Sequence, residues 1–273
     1  MGRSGRYELK YIISESESRA VSSFVSQYLV PSKHNGSGPV PGHPVISLYL
    51  DSPDLALFRQ GFGGHKNRIK LRIRIYDDEW DRPAFLEIKR RVSDVIIKGR
   101  AMMSRKGVRE MLLNGWNGQT YWPDPSTLVH GRRRQDVLGE FLGFCNRIHA
   151  RGTLYVSYSR EIYESIEDEE LRVTMDHQIR GSLYDGSGRL TVPKRGWRLR
   201  PGQILPYWPS DGVVLELKFE DQPPGWMHQL VQRFNLQRRA VCKYCACVDA
   251  VGLQWGRVVV PECEADWVPG GGS

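Results

Sequence analysis

The sequence predicts an α+β fold: an antiparallel β-sheet closed into a barrel, with helices packed outside it. Three observations predict it. Short segments recur in which charged and apolar residues alternate, so that as strands they put ionised side chains on one face and hydrophobes on the other. The charged faces are mostly cationic, and like charges so close together repel unless an anion sits among them. Between the strands lie segments with apolar residues at helical intervals, which can cover the apolar faces while the charged faces line a lumen.

The first strand is Arg6 to Tyr11, with Arg6, Glu8 and Lys10 opposite Tyr7, Leu9 and Tyr11. Ser14 and Glu17 have capping-box spacing, and Val21, Phe24, Val25 and Tyr28 continue as an amphipathic helix. A Gly/Pro/Ser-rich loop follows, then a strand with Ile46, Leu48 and Leu50 on its apolar face, ended by Ser52-Pro53. Lys70 to Tyr76 is the clearest alternation, with Lys70, Arg72, Arg74 and Tyr76 on one face and Leu71, Ile73 and Ile75 on the other. Phe85 to Arg91 repeats it, setting Glu87, Lys89 and Arg91 opposite Leu86 and Ile88.

Ser104 opens a short helix with Gly115 as its stop, residues 114–133 read as a loop, and Val137, Leu138, Phe141, Leu142 and Cys145 mark a further helix. In the second half, one strand carries Tyr158 and Arg160 on one face and the next carries Arg172, Thr174 and Asp176. A third sets Glu216, Lys218 and Glu220 against Val213, Leu215, Leu217 and Phe219. Trp226, Leu230, Val231 and Phe234 define a late helix, and Lys243-Tyr244 opens a helical or irregular segment ending near Trp255. No linker or internal repeat divides the chain, so residues 1–255 read as a single domain and 256–273 as a tail.

Lys plus Arg number 39 against 31 Asp plus Glu, a formal net charge of +8 that favours anionic partners. No apolar run is long enough to span a membrane, and the amino terminus leads into strand alternation rather than a signal-peptide core, so a soluble, cytoplasmic protein is expected. The five cysteines, Cys145, Cys242, Cys245, Cys247 and Cys263, are expected to be reduced. Cys242 and Cys245 have the spacing of half a zinc site without a second pair, and read as packed or partly exposed thiols. Lys194 to Arg200 reads as a basic, solvated loop.

Nucleic acid is disfavoured as a partner, because the cations alternate with core-facing hydrophobes and no ladder of stacking aromatics accompanies them. Burying so many cations dry would be costly, so the lumen must hold water and anions, most naturally phosphates with a divalent metal. Glu8, Glu87 and Glu216 offer the hard oxygen ligands such a metal needs.

Taken in order, Arg6-Tyr7-Glu8-Leu9-Lys10-Tyr11, Lys70-Leu71-Arg72-Ile73-Arg74, Leu86-Glu87-Ile88-Lys89, Tyr158-Ser159-Arg160, Arg172-Val173-Thr174-Met175-Asp176, Leu215-Glu216-Leu217-Lys218 and Lys243-Tyr244 resemble the motifs of the VTC-type polyphosphate polymerase domain. That domain belongs to the triphosphate tunnel metalloenzymes, or CYTH-like superfamily. The resemblance implies an eight-stranded antiparallel tunnel that binds ATP and inorganic polyphosphate with Mn²⁺ or Mg²⁺ and transfers the γ-phosphate of ATP to a growing polyphosphate chain. By matching position it implies that Lys10, Arg72, Arg74, Lys89, Arg160, Arg172 and Lys218 hold phosphates, that Tyr158 donates to a phosphate oxygen, that Glu216 ligates the metal, and that Lys243 closes the site. Lys70 and Arg91 stand as further phosphate contacts toward the rim. Hydrolase branches of the superfamily usually open with Glu-x-Glu-x-Lys, whereas Arg6-x-Glu8-x-Lys10 exchanges one carboxylate for a cation, which favours the polymerase branch. A triphosphatase in the same tunnel and a non-catalytic polyphosphate-binding module are the competing readings. A membrane-associated partner leaves no mark in the sequence.

Overall fold

The structure is a computed structural model, and it describes residues 6–36, 38, 40–93, 95–114, 132–168, 170–193, 196–197 and 211–253. The expected tail, Cys263, Gly115, most of the 114–133 loop and most of the 194–200 basic loop lie outside the described residues. In order, the elements are β1 (Arg6–Ile13), α1 (Glu15–Val25), β2 (Val30–Pro31), β3 (His43–Asp51), α2 (Ala56–Phe62), β4 (Arg68–Ile75), β5 (Ala84–Val92) and β6 (Val95–Met103). They continue with α3 (Arg105–Asn114), α4 (Arg132–Arg147), β7 (Arg151–Glu164), β8 (Arg172–Leu183), β9 (Val213–Glu220), α5 (Gly225–Arg233) and α6 (Lys243–Ala250). The sheet is antiparallel in the order β1-β9-β8-β7-β3-β4-β5-β6, with the short β2 beside β7.

The sheet curls without closing, which corrects the expectation of a closed barrel. Among the described residues, β1 and β6 end the strand order and do not pair. The edge of β1 is met instead by the segment after α5: Tyr11 bridges Arg238, and the Arg239 N–H donates to the Lys10 carbonyl at 2.9 Å. With that edge occupied, β6 has no ladder to complete, and the eight strands form an open half-barrel. The curl is strong all the same. Glu8 on β1 lies 3.7 Å from Lys89 on β5 and 3.6 Å from Lys98 on β6, strands at the far end of the order, so the charged face is the concave one.

The convex face is apolar and covered by helices, as expected. Leu71, Ile73 and Ile75 of β4 and Leu86 and Ile88 of β5 form one core with α3 and α4. Val173 and Met175 of β8 and Leu215 and Leu217 of β9 form a second with α1 and α5. The capping box of α1 is present, with the Glu17 N–H donating to Ser14 Oγ at 3.2 Å and the Ser14 N–H to Glu17 Oε2 at 2.7 Å.

α2 and α6 depart from the expectation that helices sit outside. Both lie on the concave side, where Phe58, Tyr244, Cys245 and Val248 pack against Val45 and Tyr49 of β3 and Leu154, Val156 and Tyr158 of β7. α2 is started by Asp51, whose carboxylate accepts the Leu57 and Phe58 N–H groups, each at 2.8 Å, and the Tyr244 hydroxyl at 2.7 Å. Gly181 lets α6 approach β8, because a Cβ there would stand 2.8 Å from Cys247 Cβ. Gln178, at φ +50, sits in a β8 bulge where the register with β7 shifts, so His177 points to the convex side and Ile179 packs with the α6 cluster.

Candidate functional site

On the β1-β9-β8 wall, Glu216 is a hub. Lys10 Nζ lies 3.0 Å and Lys243 Nζ 3.3 Å from its Oε1, and Lys218 Nζ lies 3.0 Å from its Oε2. Asp176, fully buried, takes the Arg160 guanidinium in a two-pronged pair at 2.6 and 2.7 Å and Lys243 at 2.6 Å. Burial alone would raise both carboxyls. Arg160 and Lys243 around Asp176, and the three lysines around Glu216, outweigh it and hold both below the usual carboxylate range. Tyr158 lies beneath this wall, with the charged ends of Arg160 and Lys243 5.2 and 5.3 Å from its ring centre. Burial opposes its ionisation, yet Arg160, Arg74 and Lys243 bring the phenol below its ordinary value.

On the β4-β5-β6 wall the hub is Glu87. Arg72 Nε lies 2.6 Å from it, Arg100 3.5 Å and Arg74 3.6 Å. Arg72 also donates to the Tyr49 hydroxyl and Arg74 to Ser47 Oγ, both at 3.3 Å, so the two arginines are held by strand β3 next door. Tyr49 in turn stacks on Tyr244 of α6 at 4.7 Å.

Glu8 joins the walls through Lys10 at 2.8 Å, Lys98 at 3.6 Å and Lys89 at 3.7 Å. Burial opposes the ionised Glu8, but Lys10 and Lys89 hold it far below the usual range. Lys89 moves the other way: burial, with Lys10, Lys98 and Lys70 close by, outweighs Glu8 and brings its ammonium down to about 7. Beside these groups opens a cavity of about 580 Å³, lined among others by Glu8, Lys10, Lys70, Lys89 and Arg91 and by Cys242 and Cys245 of the α6 end.

Of the residues expected from sequence, Lys10, Tyr158, Arg160, Glu216, Lys218 and Lys243 meet on one wall, Arg72 and Arg74 face them, and Glu8 and Lys89 lie between. Arg172 stands apart, paired with Glu164 at 3.1 Å and more than a third exposed, and Arg91 donates to the Ser93 carbonyl at 2.8 Å near the end of its strand. Lys70 donates to Cys242 Sγ at 3.2 Å. The Arg6 side chain lies outside the described residues. Asp176, Lys98 and Arg100 join the site without having been singled out from sequence. Asp176 shares the face of Arg172 and Thr174, and Lys98 and Arg100 repeat the spacing of Arg72 and Arg74, so a signal for each was present.

Among the described residues no three His, Cys, Asp or Glu side chains converge on a metal-sized site. Mg²⁺ or Mn²⁺ needs only one or two carboxylates when phosphates supply the rest. Glu8 and Glu216, which share Lys10, are the pair that fits this weaker requirement. Glu87, enclosed by three arginines on the opposite wall, does not join them.

A sequence model of the VTC domain matches residues 5–251. The chain belongs to the VTC domain family. The match takes in the chain from β1 through α6. This VTC domain is also similar to a solved structure from Bacillus halodurans described as a proposed adenylate cyclase, at 16% identity over 86% of this chain and 94% of that one, with a TM-score of 0.43. No curated protein matches the sequence. Among the described residues, no helix is long and apolar enough to cross a membrane.

Proposed function

We propose that this VTC domain is a polyphosphate polymerase, which moves the γ-phosphate of ATP onto the end of an inorganic polyphosphate chain. The observation that carries the reading is the state of the carboxylates. Glu8, Glu87, Asp176 and Glu216 are each paired with at least two cations and held below the usual carboxylate range, so none is poised to take a proton from water. Transfer to a phosphate needs no such base. The terminal oxygen of the chain is already an anion; it forms the new bond to the γ-phosphorus as the bond to the β–γ bridging oxygen breaks and ADP leaves.

The residues then hold anions in line and neutralise charge. Arg72, Arg74 and Arg160 present planar forks that match two phosphate oxygens, and Lys10, Lys218 and Lys243 present point charges. A cation about 4 Å from a phosphate oxygen is worth roughly 4 kcal/mol at an effective dielectric near 20, so several together can fix a triphosphate. Mn²⁺ or Mg²⁺, held by Glu8 and Glu216, supplies further charge neutralisation when bound.

Hydrolysis of triphosphate is the second reading, favoured by Lys89. With its pKa brought down to about 7, that amine can accept a proton at neutral pH. Incubation with ATP and Mn²⁺ separates the readings. A ladder of long polyphosphate on a gel is expected; orthophosphate without polymer rejects the polymerase, and polyphosphate binding with neither product identifies a non-catalytic module.

A further inference from the structure

The cavity beside Lys89 has a sulfur wall that phosphoryl transfer does not use. Cys242 is the N-cap of α6, and its Sγ accepts the Cys245 N–H at 3.3 Å. The Lys70 ammonium donates to the same sulfur at 3.2 Å. A cation, a backbone N–H and a helix N-terminus thus converge on one sulfur that lines an open cavity, which is the environment of a reactive thiolate. Donation from the Cys245 thiol and the nearby Lys70 charge outweigh burial and hold Cys242 well below the ordinary thiol value. Burial pushes the Cys145 and Cys247 thiols up, and the Cys245 thiol is raised as well, first by its hydrogen bond to Cys242 and then by burial. Cys245 stands at the third helical position, which sets its Cα about 5–6 Å from that of the N-cap, within reach of a disulfide.

We propose that Cys242 is a peroxide-reactive thiolate resolved by Cys245, and that closing this pair tightens the cavity's hold on phosphate. The Cys242 thiolate attacks one oxygen of hydrogen peroxide; an S–O bond forms, the O–O bond breaks, and the departing hydroxide takes a proton and leaves as water. Cys245 then gives up its proton, its sulfur attacks the Cys242 sulfenic sulfur, and the S–O bond breaks with release of a second water. Two thiols are oxidised and one peroxide is reduced to two waters. The anion that had neutralised Lys70 disappears, so its ammonium faces the cavity with Lys10 and Lys89, and the pocket gains a positive charge. This second half rests on the proposed phosphate binding; the thiol chemistry does not.

The test treats the full chain with stoichiometric hydrogen peroxide or with a dithiol reductant, then applies peptide mass spectrometry and calorimetric titration with inorganic tripolyphosphate. Expected are a Cys242–Cys245 cross-link, its loss in Cys242→Ser and Cys245→Ser, and a dimedone-trapped sulfenic acid at Cys242 in Cys245→Ser. The tripolyphosphate Kd of the unsubstituted chain should fall about threefold to tenfold on oxidation, and Cys242→Ser, which has no thiolate to lose beside Lys70, should show no such change on peroxide treatment. Oxidation elsewhere with Cys242 spared, or full oxidation of Cys242 without the cross-link, overturns the site. A cross-link with unchanged or weaker tripolyphosphate binding overturns the charge coupling. Absence of tripolyphosphate binding in both states overturns that coupling together with the phosphate reading, while the thiol pair stands on its cross-link.

Discussion

The two faces of the curled sheet both bury charge, and they do so differently. On the convex face beneath α1, His177 lies between Glu15 at 3.0 Å and Glu161 at 3.2 Å, and Glu161 also accepts from the Tyr163 hydroxyl at 2.7 Å and from Ser22 Oγ. That cluster is closed: each partner satisfies another, and it ties α1 to β7 and β8. On the concave face the cations outnumber the carboxylates, and Lys10, Lys70 and Lys89 among them line a cavity of about 580 Å³. A balanced network stabilises the fold, whereas an unbalanced one waits for a ligand. Substitutions should therefore separate along this line, the convex ones costing stability and the concave ones costing activity.

The largest effect is expected at Lys243, which bridges Asp176 and Glu216. Lys243→Ala should lower polyphosphate synthesis at least about 100-fold in an ATP turnover assay, with the fold retained by circular dichroism. Near-normal turnover would contradict this division of labour between the two faces. Next comes Glu161→Ala on the other face, which leaves His177 and Tyr163 short of a partner. It should cost about 2–3 kcal/mol in urea unfolding and leave the tripolyphosphate Kd unchanged.

Two pH profiles sharpen the contrast. Burial opposes protonation of His177, but Glu161 and Glu15 prevail and raise its pKa above the ordinary value. The stability it contributes is thus full below about pH 6.5 and is lost as pH rises through the folded pKa, and His177→Gln should flatten that loss. Lys89 has the opposite sign. Its pKa of about 7 lies below the unfolded value, so the fold is penalised at neutral pH and gains stability as pH rises from about 7 toward 10.5. Lys89→Ala should therefore stabilise the protein by about 1–2 kcal/mol at pH 7, after discounting for the third of the side chain that water reaches, while weakening tripolyphosphate binding. In the unsubstituted chain, binding should take up a proton above pH 7 and weaken as pH rises. The smallest effect belongs to Arg172→Ala at the rim, about twofold to fivefold in Kd, since its guanidinium is already engaged by Glu164.

Much of this contrast is legible in the sequence, because β1, β4, β5 and β9 alternate charge with hydrophobe and the pleat turns that alternation into faces. β6 is hidden by its own composition. Lys98 and Arg100 keep the two-residue spacing, but Val95, Ile96 and Ile97 run together before them and Gly99 stands between them, so the alternation is too short to announce a strand. The position of α6 is hidden for the opposite reason: Tyr244, Cys245, Ala246, Cys247 and Val248 are all buried, and a helix buried on most sides shows no stripe to say which surface it covers. Failure to close is a long-range fact, since it depends on Arg238 and Arg239 reaching β1. The roles of Glu87 and Asp176 are long-range too. A carboxylate on the charged face can be a metal ligand or a brace for arginines, and only the distances to Arg72, Arg74 and Arg160 distinguish the two.

On the reading proposed above, the concave face passes phosphate to phosphate rather than to water. Phosphorus NMR of the purified protein with ATP and Mn²⁺ tests it most directly. A growing resonance from interior phosphates of a chain, matched by ADP, is the predicted result. ADP accompanied by orthophosphate alone would contradict it.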